Sequence, residues 1–219
     1  MKRSISIQTL QRLPIYLNFL KELSQNKRMN ISAKCIADNL RLGEIQVRKD
    51  LAAVSSGGKP KVGYVTEDLI KDIEINLGHN NLHDAVLVGA GKLGKALLSY
   101  DGFKGYGLNI VAAFDVCGDV LGSNDSGKQI LAIDKMKDLC ERMKVRIGII
   151  TVPADSAQKV CDMLVESGIL AIWNFAPTHL SAPENILIKS ENMASSLALL
   201  SMHLIKNIDS KKGEMDNEE

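Results

Sequence analysis

No apolar run in this chain of 219 residues approaches the ~20 needed to span a bilayer, and the opening Met-Lys-Arg-Ser-Ile-Ser-Ile-Gln has no signal-peptide core. The expectation is a cytoplasmic protein with no membrane partner. Cysteine is scarce and scattered. Cys35, Cys117, Cys140 and Cys161 form no Cys-x-x-Cys pair, which argues for reduced thiols, mostly in the core, against a disulfide framework or a zinc site. No metal is expected. Cys117 is the thiol expected to be partly exposed. Groups for acid–base chemistry are short too: beyond residue 83 only His179 and His203 remain, and Tyr100-Asp101 is not followed by lysine at Tyr-x-x-x-Lys spacing. A small oxidoreductase therefore lacks its positioned proton donor, and the reading is not an enzyme. Neither charge sign prevails, with 27 Lys+Arg against 26 Asp+Glu, and 45% hydrophobic with 24% charged residues is ordinary for a globular protein.

The balance hides an asymmetry. Residues 1–80 carry thirteen Lys/Arg against eight Asp/Glu, residues 81–219 fourteen against eighteen, and within 1–61 the ratio is twelve to four. A basic module joined to a mildly acidic one fits nucleic-acid binding joined to small-molecule binding. Leu10, Leu13, Leu17, Leu20 and Leu23 recur at helical spacing, so residues 7–23 read as an amphipathic helix that Pro14 either starts or kinks. Ser32 is placed to cap Ala33–Leu40 and Gly43 precedes Glu44–Val54, together a helix-turn-helix. On the second of these helices Val47, Leu51 and Val54 share one face. Gln46, Lys49, Ala53 and, at the flank, Arg48 point outward, where this motif meets base edges and phosphates in the major groove. Residues 55–65 collect turn formers ahead of the β-prone 62–65, a hairpin wing with Lys59 and Lys61 at its tip. Thr66 is then placed to cap a helix ending at Gly78. Residues 1–80 thus predict a winged-helix domain with double-stranded DNA as partner.

The second module opens on Asp84-Ala-Val-Leu-Val-Gly89-Ala90-Gly91-Lys92-Leu93-Gly94, an apolar run feeding a Gly-x-Gly-x-x-Gly turn and then a helical pattern. In that context Gly89 permits the tight turn, Gly91 lets a pyrophosphate approach the backbone, and Gly94 lets helix and strand lie close. The run 108–114 ends at Asp115, an acid placed to bond a ribose 2′-hydroxyl, so NAD(H) is expected over NADP(H). A tight turn without ligand is the plainer alternative. Residues 101–107 and 117–127 read as loops, 133–143 and 154–167 as helices, and 146–152 and 170–174 as strands, with Leu187 and Ile188 ending a last one. Alternating strands and helices mean α/β with a parallel sheet, a Rossmann domain over 81–190. Leu197, Leu200, Leu204 and Ile208 line one side of a final helix beyond the sheet, so 191–208 are expected to dimerise and the charged 209–219 to be disordered.

These residues resemble the Rex family of bacterial redox-sensing transcriptional repressors, which bind DNA as homodimers and release it when NADH rises. The resemblance runs from about Ser6 to Leu204, through Gln46-Val-Arg-Lys-Asp-Leu51, Lys61-Val-Gly-Tyr64, residues 88–97, Tyr100-Asp-Gly-Phe103, Ala112-Ala-Phe-Asp115, Thr151-Val-Pro153, Asn174-Phe-Ala-Pro177 and Leu200-Ser-Met-His-Leu204. It implies pyrophosphate at Gly89 to Gly94, adenosine ribose at Asp115, nicotinamide near Tyr100, cofactor contacts at Val152 and Pro153, and a C-terminal helix swapped across the dimer. The chain departs from the family pattern at Ala52-Ala-Val-Ser55, at Pro60 between two lysines, and at Asn18 and Asn192. At the last two, the family carries an arginine and the aspartate it pairs with.

Overall fold

The computed structural model describes residues 5–24, 29–79, 83–124 and 126–215, the last ten of these as backbone. The chain divides into two compact units, Met1–Leu82 with Asp101–Leu108, and His83–Tyr100 with Asn109–Glu219. The segment Asp101–Leu108 therefore leaves the module its sequence position suggested. It forms a 3-10 helix over Asp101–Tyr106 where a plain loop was expected, and the Tyr106 ring meets His79 edge-on at 5.5 Å, with the Tyr106 hydroxyl 3.5 Å from the Asn18 amide.

The first unit contains α1 (Ile7–Ser24), β1 (Asn30–Ile31), α2 (Ala33–Leu40), α3 (Glu44–Val54), β2 (Tyr64–Val65) and α4 (Thr66–Leu77). Pro14 lies inside α1 and does not start it. Leu13, Tyr16, Leu17 and Leu20 of α1 are fully buried with Ile36, Val47, Leu51, Leu69 and Ile73. The Ser32 hydroxyl accepts the Cys35 N–H at 3.1 Å, as its place before α2 predicts. Thr66 does not cap α4. Val65 holds that position, and the Thr66 hydroxyl is buried without a hydrogen bond inside the described residues. The wing strand shrinks to Tyr64–Val65, because its partner is only the two-residue β1, paired antiparallel as Asn30 with Val65 and Ile31 with Tyr64.

Periodicity left one buried residue of α3 unpredicted. Asp50 is 4% exposed. Its carboxylate accepts four hydrogen bonds from α1: Thr9 Oγ1 at 2.9 Å, Arg12 Nε at 2.7 Å, Arg12 Nη2 at 2.9 Å and the Tyr16 hydroxyl at 2.8 Å. Burial pushes its pKa up, but the hydrogen bonds from Arg12, Tyr16 and Thr9 outweigh it and hold the carboxyl below its ordinary value.

The second unit is a seven-stranded sheet in the order β5-β6-β4-β3-β7-β8-β9, made of β3 (His83–Val88), β4 (Leu108–Asp115), β5 (Gly122–Ser123), β6 (Gln129–Ala132), β7 (Ile147–Ile150), β8 (Ala171–Asn174) and β9 (Leu187–Ser190). The pairs β4–β6, β3–β7, β7–β8 and β8–β9 are parallel, and the short β5 runs antiparallel to β6. Among the described residues its α-helices are α5 (Lys92–Ser99), α6 (Met136–Met143), α7 (Ala154–Glu166) and α8 (Met193–Met215). β5 lies where a loop was expected, and β6 lies between the expected loop and the expected helix, in residues to which no element was assigned. Their apolar content is too short to register alone, and β6 becomes a strand because Ala112 to Asp115 of β4 offer it an edge. β7 stops at Ile150, and β9 starts at Leu187, the residue expected near its end. Residues 133–135 form a 3-10 turn ahead of α6. α8 runs to Met215, so residues 209–215 are helical where disorder was expected, and 216–219 lie outside the described residues. Lys, Glu and Met are good helix formers, and a started helix extends at low cost.

Asp50→Ala is expected to destabilise the first unit by about 3 kcal/mol by stranding Arg12, and Tyr16→Phe by about 1 kcal/mol. Because the folded pKa of Asp50 lies below 3.8, its contribution is present above that pH and is lost as pH falls further. Tyr16 is shifted the other way, from 10.0 to about 12, by burial and by its bond to Asp50, so its contribution is present below pH 10 and lost as pH climbs toward 12. Urea titrations across pH check both, Asp50→Asn flattening the acid limb and Tyr16→Phe the alkaline limb. Trp173, the only tryptophan, sits in β8, so its fluorescence separates the second unit's transition from the first unit's in circular dichroism.

Candidate functional site

Strand order reverses beside β3: β4 lies on one side of it and β7 on the other. In an open α/β sheet, ligands bind at this switch point, beyond the carboxyl ends of the strands. Here the chain leaving β3 is tied to both neighbours. The Gly89 N–H donates to the Phe114 carbonyl at 2.8 Å, the Thr151 N–H donates to the Val88 carbonyl at 2.9 Å, and the Thr151 hydroxyl donates to the Gly89 carbonyl at 2.8 Å.

The three glycines of the turn have three different surroundings. Gly89 has φ +104°, and a Cβ there would stand 2.8 Å from the Thr151 backbone. Gly94, in the first turn of α5, lies so close to the strand end that a Cβ would meet the Gly89 carbonyl oxygen at 1.9 Å. Gly91 has an ordinary φ of −69°, and nothing stands within 4 Å of where its Cβ would be. Close packing therefore accounts for Gly89 and Gly94 but not for Gly91, which borders open space at the head of α5. That is the cradle a phosphate needs, with free helix N–H groups and a positive dipole end. The residues present fit a dinucleotide.

Asp115, at the end of β4, takes the Ala90 N–H on one carboxylate oxygen at 2.6 Å and the Cys117 N–H on the other at 2.9 Å. It thereby braces the glycine turn, and each oxygen keeps the capacity to accept a further hydrogen bond. A cavity of about 410 Å³ opens here, lined by Gly89, Gly91, Asp115, Val152 and Pro153. Of the expected residues, buried Ala90 supports the turn from behind, Lys92 and Leu93 begin α5 outside the cavity lining, and Tyr100 sits 54% exposed at the other end of α5. The lining also holds Thr151, Ser156 and Lys159, which sequence reasoning missed. Thr151 had a signal in its place after an apolar strand, whereas Ser156 and Lys159 reach the cavity only because α7 packs beside β7. Cys140 and Cys161 are buried, their thiols pushed up, that of Cys140 to about 11. Cys117 is exposed, as expected.

In the first unit Gln46, Arg48 and Lys49 are all exposed on α3, while Ala53 is half-buried. Arg48 is engaged by Glu44 one turn earlier. The wing closes through reciprocal backbone bonds between Lys59 and Gly63, at 2.8 and 2.9 Å, which puts Lys61 at the tip with φ +65°. Gly63 has φ +87°, and a Cβ there would lie 2.3 Å from the Ile31 carbonyl oxygen. Lys59, Lys61 and Arg48 line one groove with Lys34 of α2, a cation the sequence reading did not single out. Arg12 and Gln46 border a second groove with Ile45 and Lys49.

No helix among the described residues is long and apolar enough to cross a membrane. The family model for the CoA binding domain matches residues 80–178, and that for DNA-binding protein N-termini matches residues 4–52. The chain is 40% identical over 192 residues to the redox-sensing transcriptional repressor Rex of Bacteroides thetaiotaomicron, across 88% of this chain and 87% of that protein. It is 39% identical over 192 residues to that of Treponema denticola, across 88% and 91%. Among solved structures, that of RSP in complex with beta-NAD+ and operator DNA superposes with a TM-score of 0.87 at 31% identity, covering 96% of this chain and 97% of that one. RSP in complex with beta-NADH gives 0.85 at 30%, covering 96% and 99%. With identity at this level along nearly the whole of both chains, from the helix-turn-helix through the glycine turn, this chain belongs to the Rex family of redox-sensing transcriptional repressors.

Proposed function

We propose that the chain acts as a homodimeric, cytoplasmic redox-sensing repressor that binds a palindromic operator, holds NAD(H) at the glycine turn, and leaves DNA when NADH rises relative to NAD⁺. It is a regulator and not an enzyme, as its relatives are named. The observation that carries the cofactor assignment is Gly91, where the glycine answers to no neighbour within the chain, beside a carboxylate already aimed at the turn. Gly89 to Gly94 hold the pyrophosphate and Asp115 the ribose, with Val152 and Pro153 against the ligand and Tyr100 toward the nicotinamide. The ring is neutral in NADH and cationic in NAD⁺, so an apolar setting favours the reduced form and the two forms favour different arrangements of the protein. Gln46, Arg48, Lys49, Lys59 and Lys61 contact the DNA.

Dimerisation is supported by α8. Met193, Leu197, Leu200, Leu204 and Ile205 are all strongly exposed along it, a stripe too continuous for a solvated surface helix. In the family's arrangement this helix is swapped across the dimer. Asn192 caps it by accepting the Ser195 N–H at 3.0 Å, a task aspartate performs equally, so its neutral side chain removes charge from the switch without weakening the helix start.

A mobility-shift titration against a palindrome bound by Rex relatives, at one fixed salt concentration, is expected to show binding without cofactor and with NAD⁺ and release by NADH; binding indifferent to both forms means the switch is lost, and no binding points to an NAD(H)-binding dimer without DNA function. Gly91→Ala is expected to leave the unfolding midpoint within about 0.5 kcal/mol of the parent while weakening NADH at least roughly tenfold, whereas Gly94→Ala unfolds the turn, with calorimetry separating the two. A Gly91→Ala protein with unchanged NADH affinity returns the turn to a purely structural role. Leu200→Glu is expected to yield monomers by analytical ultracentrifugation at concentrations where the parent is dimeric.

A further inference from the structure

On α3 the buried residues are Val47, Asp50 and Leu51. At 100° per residue, the opposite face is centred on Ile45, Lys49 and Ala52. Ile45 is 71% exposed at the second position of the helix. A single exposed isoleucine is ordinary on a protein surface, but this one stands where a recognition helix meets base edges, in the middle of its outward face. The one apolar group on the floor of the major groove is the thymine C5-methyl.

Gln46, at the edge of the same face, is constrained from behind. With its amide oxygen turned toward Arg12 it accepts from Nη1 at 2.9 Å, the single Nε hydrogen being given to Asp50. The opposite orientation sets an NH₂ against a guanidinium, donor against donor, and is excluded on that ground. Arg12 is itself held by two bonds to Asp50, so the amide oxygen is kept turned inward and only Nε2–H is left to face outward. A glutamine contacting adenine bidentately needs oxygen and NH₂ together. Restricted to its donor, Gln46 suits an acceptor, purine N7 or guanine O6.

We propose that the first turn of α3 reads a thymine methyl through Ile45 and an adjacent purine acceptor through the Gln46 amide donor, with Arg12 as the positioning residue that selects the donor. This rests on the DNA-binding reading above. Lys49 on the same face adds a cation whose contact with phosphate or acceptor is tolerant of sequence.

The test uses the full-length protein and a palindrome that the protein itself enriches from a random duplex library, with binding measured by fluorescence anisotropy at one salt concentration. Each thymine is replaced in turn by deoxyuridine, which deletes only the methyl. Each purine is replaced by its 7-deaza analogue, and guanine also by 2-aminopurine, which deletes O6. In the parent, one thymine per half-site is expected to lose roughly fivefold in affinity on demethylation and a neighbouring purine a similar factor on loss of its acceptor. Ile45→Ala should be indifferent to the first change and Gln46→Ala to the second. Arg12→Lys keeps a cation beside Asp50 but loses the fork, and is expected to broaden base preference at the Gln46 position, an effect that mere loosening of the fold does not produce. Binding with a flat modified-base profile, or with the same profile in Ile45→Ala and Gln46→Ala, overturns the proposal and leaves DNA binding standing. Failure of the parent to enrich or bind any duplex overturns both.

Discussion

An ionised carboxylate inside a helical core is the constraint on which the geometry of the first unit turns. An unpaired buried charge is among the costliest things a fold can contain, and Asp50 is tolerable only with all four donors of α1 in reach. Thr9, Arg12 and Tyr16 stand at i, i+3 and i+7, on one face of α1, so they converge only if α3 crosses at one place and one rotation. Sliding α3 by a residue would strand the charge. Leucine packing between the same helices is far more permissive, since volume-conserving shifts of apolar contacts cost little. The polar cluster thus supplies the register and the apolar core supplies the bulk of the free energy. Arg12 extends that register outward, since the guanidinium that neutralises Asp50 also faces Gln46.

The second unit repeats the device at the end of a sheet. Asp115 joins two backbone N–H groups, one from the glycine turn and one from its own strand's exit, while the Thr151 hydroxyl ties the same turn to β7. The turn is preorganised before any ligand arrives, which reduces the ordering cost of binding. Its glycines divide the labour. Two are obliged by contacts inside the chain and the third is obliged by none. Asn174 plays a comparable bracing part beneath the loop after β8, wholly buried and bonded to the Ala176 backbone, the Thr178 carbonyl and Ser190. The Asn-Phe-Ala-Pro stretch that marks the family resemblance is therefore, at its first residue, a piece of scaffolding.

The helix-turn-helix, its caps at Ser32 and Gly43, the glycine turn and the acid at the end of β4 were legible because each rests on residues adjacent in sequence: a cap, a period or a fixed spacing determines them locally. Thr66 illustrates the limit of such signals, since a good capping residue one position late becomes a buried hydroxyl inside the helix. β1 and β6 were illegible because a two- or four-residue strand has no period of its own and exists only against its partner. Asp50 was illegible for a related reason. An acid on an amphipathic helix reads as solvent-facing until the donors from another helix are known.

By itself, then, the sequence determined the order of modules, the α/β class of the second, the glycine turn with its acid, and the cationic stretch on α3 and the wing. Each follows from local sterics and hydrogen bonding within a few residues. Only the tertiary structure decided that Asp50 faces inward, that Ile45 holds the centre of the outward face with Gln46 limited to its donor, that Asp101–Leu108 sides with the first unit, and that Gly91 alone of the three glycines borders open space. Those are properties of which surfaces meet, and burial, satisfaction of charge and free space are defined only once distant segments have been brought together.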